Sequence, residues 1–138
     1  MVHVVYLALV LLAGLQPQSD QDTGVTVQEV SRARATAAGQ PIELPRGGLE
    51  VIASIYTIAP GAALPVHKHR YPRYAFVLSG TAQVTAEDGR VFTYAAGEFI
   101  VEMFDAWHRG SNPGDVPARL LVIDQVEAGG ANVEMRNP

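Results

Sequence analysis

The stretch Gly61-Ala-Ala-Leu-Pro-Val-His67-Lys-His69-Arg-Tyr-Pro-Arg73 decides how this 138-residue chain reads, because it places two of only four histidines at alternate positions. Side chains alternate along a strand, so an extended His67-Lys68-His69 points both imidazoles to one face. A third histidine, His108, lies further on in Asp105-Ala-Trp-His108-Arg-Gly-Ser-Asn112 and can close a site. The fourth, His3, sits in an apolar leader. An isolated His-x-His is more often a pair of ordinary strand residues, since histidine has no strong burial preference. What surrounds the pair therefore matters.

Composition narrows the setting. With 48% hydrophobic residues, 17% charged, 13 Gly and 9 Pro, the chain fits one loop-rich β domain with a single core. The formal net charge is -4 and the basic residues are scattered, so no basic stripe tracks phosphates and nucleic acid is not an expected partner. There is no cysteine, which excludes disulfides, thiolate metal ligands and a thiol nucleophile. Any metal must be held by nitrogen and oxygen.

Val4 to Leu15 is an uninterrupted apolar run, followed by the polar junction Gln16 to Gly24. The run falls short of the roughly 20 residues of a spanning helix and reads as a signal peptide over residues 1–18, although no Lys or Arg precedes it and no clean Ala-x-Ala site follows. The expectation is a periplasmic or secreted protein with no stable membrane span after processing. Residues 19–48 read as a linker and extended N-terminal arm, 49–127 as a β-barrel and 128–138 as a C-terminal tail.

Short β-branched and aromatic runs mark the strands: Val25 to Val30, Val51 to Ile58, Tyr74 to Leu78, Thr81 to Ala86, Val91 to Tyr94, Phe99 to Met103 and Leu120 to Val126. Turn formers separate them, and Glu87-Asp88-Gly89-Arg90 predicts a tight hairpin. Strands at this spacing imply a sandwich or small barrel. Association as a homodimer, through the N-terminal arm or a sheet edge, is a further expectation, because small barrels protect edges by pairing.

These residues resemble the cupins. The first cupin motif is met by Gly61, His67, His69, position 73 and Gly80 with every spacing kept, but its usual Glu is Arg73 here. The second is met by Gly97, His108 and Asn112, with its Pro and Gly replaced by Met103 and Asp105. The resemblance is closest to small single-domain type-2 cupins that carry a leader. It implies an all-β fold, a double-stranded β-helix or jelly-roll barrel, with one divalent metal in its mouth. His67, His69 and His108 match the family's ligands, and Arg73 does not, since a guanidinium offers no lone pair.

Three readings of Arg73 stay open. The metal has a three-histidine site and Arg73 clamps a small anionic ligand; or an acid from elsewhere neutralises Arg73 or completes the ligand set, with Glu102 and Asp105 as candidates; or the barrel is metal-free and binds a small molecule without catalysis. Imidazole ligands do not choose among Fe, Zn, Ni, Mn and Cu. Glu102, flanked by Val101 and Met103, either faces solvent or needs a partner such as Arg73 or a metal. Alternation puts Ile100 and Glu102 on one face and Phe99, Val101 and Met103 on the other, without saying which is interior. If Arg73 begins a strand, Ala75 and Val77 share its face. Ala75, Val77, Met103 and Trp107 are expected to line the pocket, and Tyr74 is a candidate substrate contact. As an enzyme, the chain would be a metal-dependent dioxygenase or isomerase acting on a small organic acid.

Overall fold

The computed structural model describes residues 24–137, so the leader read at residues 1–18 lies outside the described residues. Among the described residues, nine strands follow the arm: β1 (Leu49–Ile58), β2 (His67–His69), β3 (Arg73–Ser79), β4 (Thr81–Ala86), β5 (Val91–Ala95), β6 (Phe99–Glu102), β7 (His108–Ser111), β8 (Ala118–Glu127) and β9 (Val133–Met135). They form two antiparallel sheets, one in the order β1-β8-β3-β6 and the other β5-β4-β7-β2-β9. Among the described residues, no helix is long and apolar enough to cross a membrane.

Alternation along the strands builds the interior between the sheets. On β8 the buried positions are Ala118, Leu120, Val122, Asp124 and Val126, every second residue. On β3 they are Arg73, Ala75 and Val77. Ile58, Ala75, Val77, Ile100, Leu120 and Val122 belong to one apolar cluster inside the barrel. Two polar residues thus occupy the inward phase of otherwise apolar strands, Arg73 and Asp124, and their neutralisation is part of the site.

Turns hold the sheets in register. Gly89 takes φ +87° in the β4–β5 hairpin, as the Asp88-Gly89 pair requires. Gly80 has φ +74°, and a Cβ there would come within 2.7 Å of the Pro117 carbonyl oxygen, so only glycine fits between β3 and β4. Asn112, fully buried, donates to the carbonyls of Ile58 and Val116 and accepts from the Gly114 amide, closing the loop after β7. Asp105 adopts φ +51°, a conformation that favours glycine, so the backbone keeps the second motif's bend although the residue is not glycine.

Two elements differ from the sequence reading. Val25 to Val30 forms no ladder; the segment is exposed, and no strand among the described residues pairs with it. The C-terminal tail, in contrast, supplies β9, which pairs with β2 through His67↔Met135, Lys68↔Glu134 and His69↔Val133.

Candidate metal centre

Strand β2 delivers His67 and His69 to the interior, both buried, and β7 delivers His108 opposite His67. Each imidazole gives its Nδ1 to a backbone carbonyl: His67 to Pro65 at 2.8 Å, His69 to Asn132 at 3.2 Å and His108 to Ala106 at 2.8 Å. A carbonyl can only accept, so all three rings carry the proton on Nδ1, and the bare Nε2 atoms converge. The Nε2 atoms of His69 and His108 lie 3.2 Å apart.

Glu102 completes the cluster from β6. Its Oε2 lies 2.8 Å from His69 Nε2 and 3.6 Å from His108 Nε2, and one donor atom from each of His67, His69, Glu102 and His108 falls within 4.8 Å of the others. Three lone pairs and a carboxylate facing one point repel one another unless a cation or an added proton sits between them. Such spacing suits donors sharing one ion at about 2.0–2.2 Å each, and the buried donor set of three imidazoles and one carboxylate fits a divalent metal. Burial alone would push the Glu102 carboxyl up, but its close contacts with the His108 and His69 rings and the positive charge of Arg73 hold it well below the usual carboxylate range. Burial lowers His67, which keeps its ring neutral and able to bind metal.

Arg73 does not ligate and does not face solvent. It is only 4% exposed, and its Nε and Nη2 donate to the two carboxylate oxygens of Asp124 at 2.9 and 2.8 Å. Burial works against its charge, and the Asp124 bonds and the Glu102 charge more than offset this, so Arg73 stays a cation. Ladder register explains the arrangement: Arg73 on β3 is the direct partner of Glu102 on β6 and of Asp124 on β8. The three form an interior row of alternating charge, and the carboxylate that the first motif puts at position 73 stands one strand over, at 102. Asn132, just before β9, joins the row to the histidines. Its Nδ2 donates to Asp124 at 2.6 Å and its side chain pairs with the backbone of Tyr71, while its own carbonyl accepts from His69.

A cavity of about 30 Å³ opens beside Arg73 and Glu102, walled mainly by Tyr56, Ile58, Leu64, Ile100, Leu120 and Val122. On that criterion it has room for one or two water-sized groups. Gly110 on β7 helps keep it open, since a Cβ there would press on Leu64.

The structure brings His67, His69, His108, Glu102 and Arg73 together, and leaves other sequence candidates apart. Tyr74 is on the opposite face of β3 from Arg73 and stacks on Phe99 at 6.3 Å. Asp105 is exposed in a surface groove with Arg46 and Arg70. Ala75 and Val77 share the inward face of Arg73 but are packed into the core, outside the cavity wall. Met103 packs with Val84 and Ala86. Trp107 lies on the outside, with Lys68 Nζ and the Arg136 guanidinium 5.0 and 4.9 Å from its ring. Sequence reasoning missed Asp124 and Asn132. Asp124 had a signal: it occupies the inward phase of Ala118-Arg-Leu-Leu-Val-Ile-Asp124, where a charge needs a partner.

A two-sheet β-barrel with three imidazoles and a carboxylate converging inside it offers a donor set that fits one divalent metal. The profile described as a cupin domain matches residues 54–124, and the chain belongs to this family. It is 34% identical over 65 residues to gentisate 1,2-dioxygenase 1 of Aquipseudomonas alcaligenes, a match covering 47% of this chain and 19% of that enzyme. It is 35% identical over 69 residues to the alginate biosynthesis protein AlgA of Pseudomonas aeruginosa, covering 49% of this chain and 14% of that protein. The chain thus spans less than a fifth of the curated relatives it matches. Among solved structures it is similar to the Mn(II) oxalate decarboxylase of Bacillus subtilis, at 30% identity and a TM-score of 0.48, covering 56% of this chain and 23% of that one.

Proposed function

We propose that the protein is a metal-dependent cupin enzyme, of the dioxygenase or isomerase type, that holds one divalent ion and acts on a small monoanionic organic acid. The observation that carries the reading is the tautomer set: three Nδ1–H groups are bound to backbone carbonyls, so three Nε2 lone pairs and Glu102 are presented to one point. His67, His69, Glu102 and His108 would hold the ion, which would supply Lewis-acid polarisation of a bound oxygen and orientation of the ligand.

The chain's own charges favour a monoanion. Glu102 and Asp124 are negative and Arg73 positive, leaving the interior row one negative charge in excess. A divalent ion reverses this to one positive charge, which a singly charged acid balances. Arg73 lines the cavity, and Asp124 engages only its Nε and Nη2, leaving Nη1 for a carboxylate. Asp124 holds the guanidinium plane in place before ligand arrives. The apolar wall of Tyr56, Ile58 and Leu64 leaves room for one or two water-sized groups, so only the carboxylate end of the ligand enters and bulk water is excluded. Metal analysis of protein purified without a histidine tag, followed by oxygen-uptake and isomerisation assays on small carboxylic acids, tests the proposal. One equivalent of metal with turnover of a small acid is expected; metal-free protein after incubation with manganese, iron, zinc and nickel in turn would overturn it.

A further inference from the structure

The N-terminal arm grips the stretch of chain that carries the metal-site carboxylate. Strand β6 pairs with β3 on one side and is the outer strand of its sheet. The arm meets its free edge: the Ala37 amide donates to the Val101 carbonyl at 2.9 Å, one residue before Glu102. Two residues after Glu102, the Gln40 side chain engages both backbone groups of Phe104. Its Oε1 accepts from the Phe104 amide at 3.1 Å and its Nε2 donates to the Phe104 carbonyl at 2.7 Å. A primary amide can satisfy a donor and an acceptor at once, as a neighbouring strand would. Gln40 is itself held by a closed turn, in which Ile42 donates to the Arg34 carbonyl, Thr36 donates to the Gln40 carbonyl, and the buried Thr36 hydroxyl accepts from the Gln40 amide. Ala38, at the tip, packs against the cluster of Val84, Ala86 and Met103.

We infer that Gln40 is a positioning residue for the metal centre, holding the loop 103–106 in the shape that aims three of the four donors. The inference rests on the metal-site reading above. The loop reaches each of the three in turn. It starts from Glu102, its Asp105 amide donates to the His69 carbonyl at 2.7 Å, and its Ala106 carbonyl accepts from His108 Nδ1 at 2.8 Å. His67 is independent of it, since its ring is oriented by Pro65. Asp105 has φ +51°, which an L side chain adopts at a cost, so the loop keeps this shape only where its surroundings impose it. The two bonds from Gln40 act on the residue directly before Asp105. Coupling of this kind is reciprocal: an arm that favours metal binding is held more tightly once metal is bound, by the same factor.

Two measurements on the metal-stripped full chain test this. In the first, Gln40→Met keeps the length of the side chain and removes both bonds to Phe104. It is expected to lower Mn(II) affinity roughly 10-fold and to change the fine structure of the bound Mn(II) in electron paramagnetic resonance at saturation, which a loss of stability alone leaves untouched. In the second, Mn(II) added to wild type is expected to slow hydrogen exchange of the Ala37 amide by a similar factor of roughly 10, read by mass spectrometry. This second measurement needs no variant and decides the matter if Gln40→Met loses its β-sheet circular dichroism. A folded Gln40→Met with wild-type affinity would overturn the inference and leave the metal site standing. Weaker binding with an unchanged fine structure would reduce Gln40 to a structural role and overturn it too, as would Ala37 exchange indifferent to Mn(II). Wild type that takes up no Mn(II) would overturn the metal-site reading and this inference with it.

Discussion

Two charged groups face each other inside the barrel and differ in how completely they satisfy themselves. On one side Arg73 and Asp124 form a forked ion pair with every charge answered. On the other, His67, His69, His108 and Glu102 aim four acceptors at a single point. The first group is paired without a ligand, with only Nη1 of Arg73 left over; the second is not. A closed pair is structural and holds its neighbours in place, whereas convergent lone pairs await a cation. The two are nevertheless one row of the same ladder, Glu102↔Arg73↔Asp124, so the ion pair sets where the open group's carboxylate stands.

If this division is right, the largest loss of stability comes from the closed side. Asp124→Ala strands a buried guanidinium and should cost about 3–5 kcal/mol in chemical denaturation. Replacing both partners, Arg73→Met with Asp124→Leu, should recover most of that stability while retaining the metal and abolishing carboxylate binding. A double variant as unstable as Asp124→Ala would show that the pair does more than neutralise itself. Asn132→Ala touches both groups, since it releases Asp124 and loosens the carbonyl that orients His69. It should lower metal affinity by roughly 10-fold, measured calorimetrically, with about 1–3 kcal/mol of stability lost.

The smallest effect is on pH dependence. Burial lowers His67 from 6.5, so in metal-free protein the unfolded chain binds a proton that the folded chain resists. Stability is full above pH 6.5, falls as pH drops through it, and levels off below the lowered folded value. Denaturation of metal-stripped protein between about pH 5 and 8 should show this slope, and His67→Gln should flatten it.

Much of the fold and part of the site were legible because they rest on local pattern. His67 and His69 share a face by strand alternation, and Gly80 and Gly89 mark turns that only glycine makes easily. The fourth acceptor was harder. Sequence alternation paired Glu102 with Ile100 but could not say which face of β6 was interior, because that depends on the antiparallel pairing with β3. The partner of Arg73 was hidden for a related reason. Asp124 lies 51 positions away in sequence and meets Arg73 only through the register of β3 with β8. Tyr74 and Trp107 misled because their chemistry suits a pocket, while alternation sends Tyr74 outward and Trp107 packs beneath two surface cations.

The central claim is that Glu102, standing across the ladder from Arg73, is the carboxylate of a four-donor metal site. Titrating metal-stripped wild type and Glu102→Gln with Mn(II) under identical conditions tests it most directly. The account predicts one ion per wild-type chain and an affinity more than about 100-fold lower for Glu102→Gln, with the metal-free variant still folded by its β-sheet circular dichroism. Wild type that takes up no ion, or Glu102→Gln that binds as tightly as wild type, would contradict it.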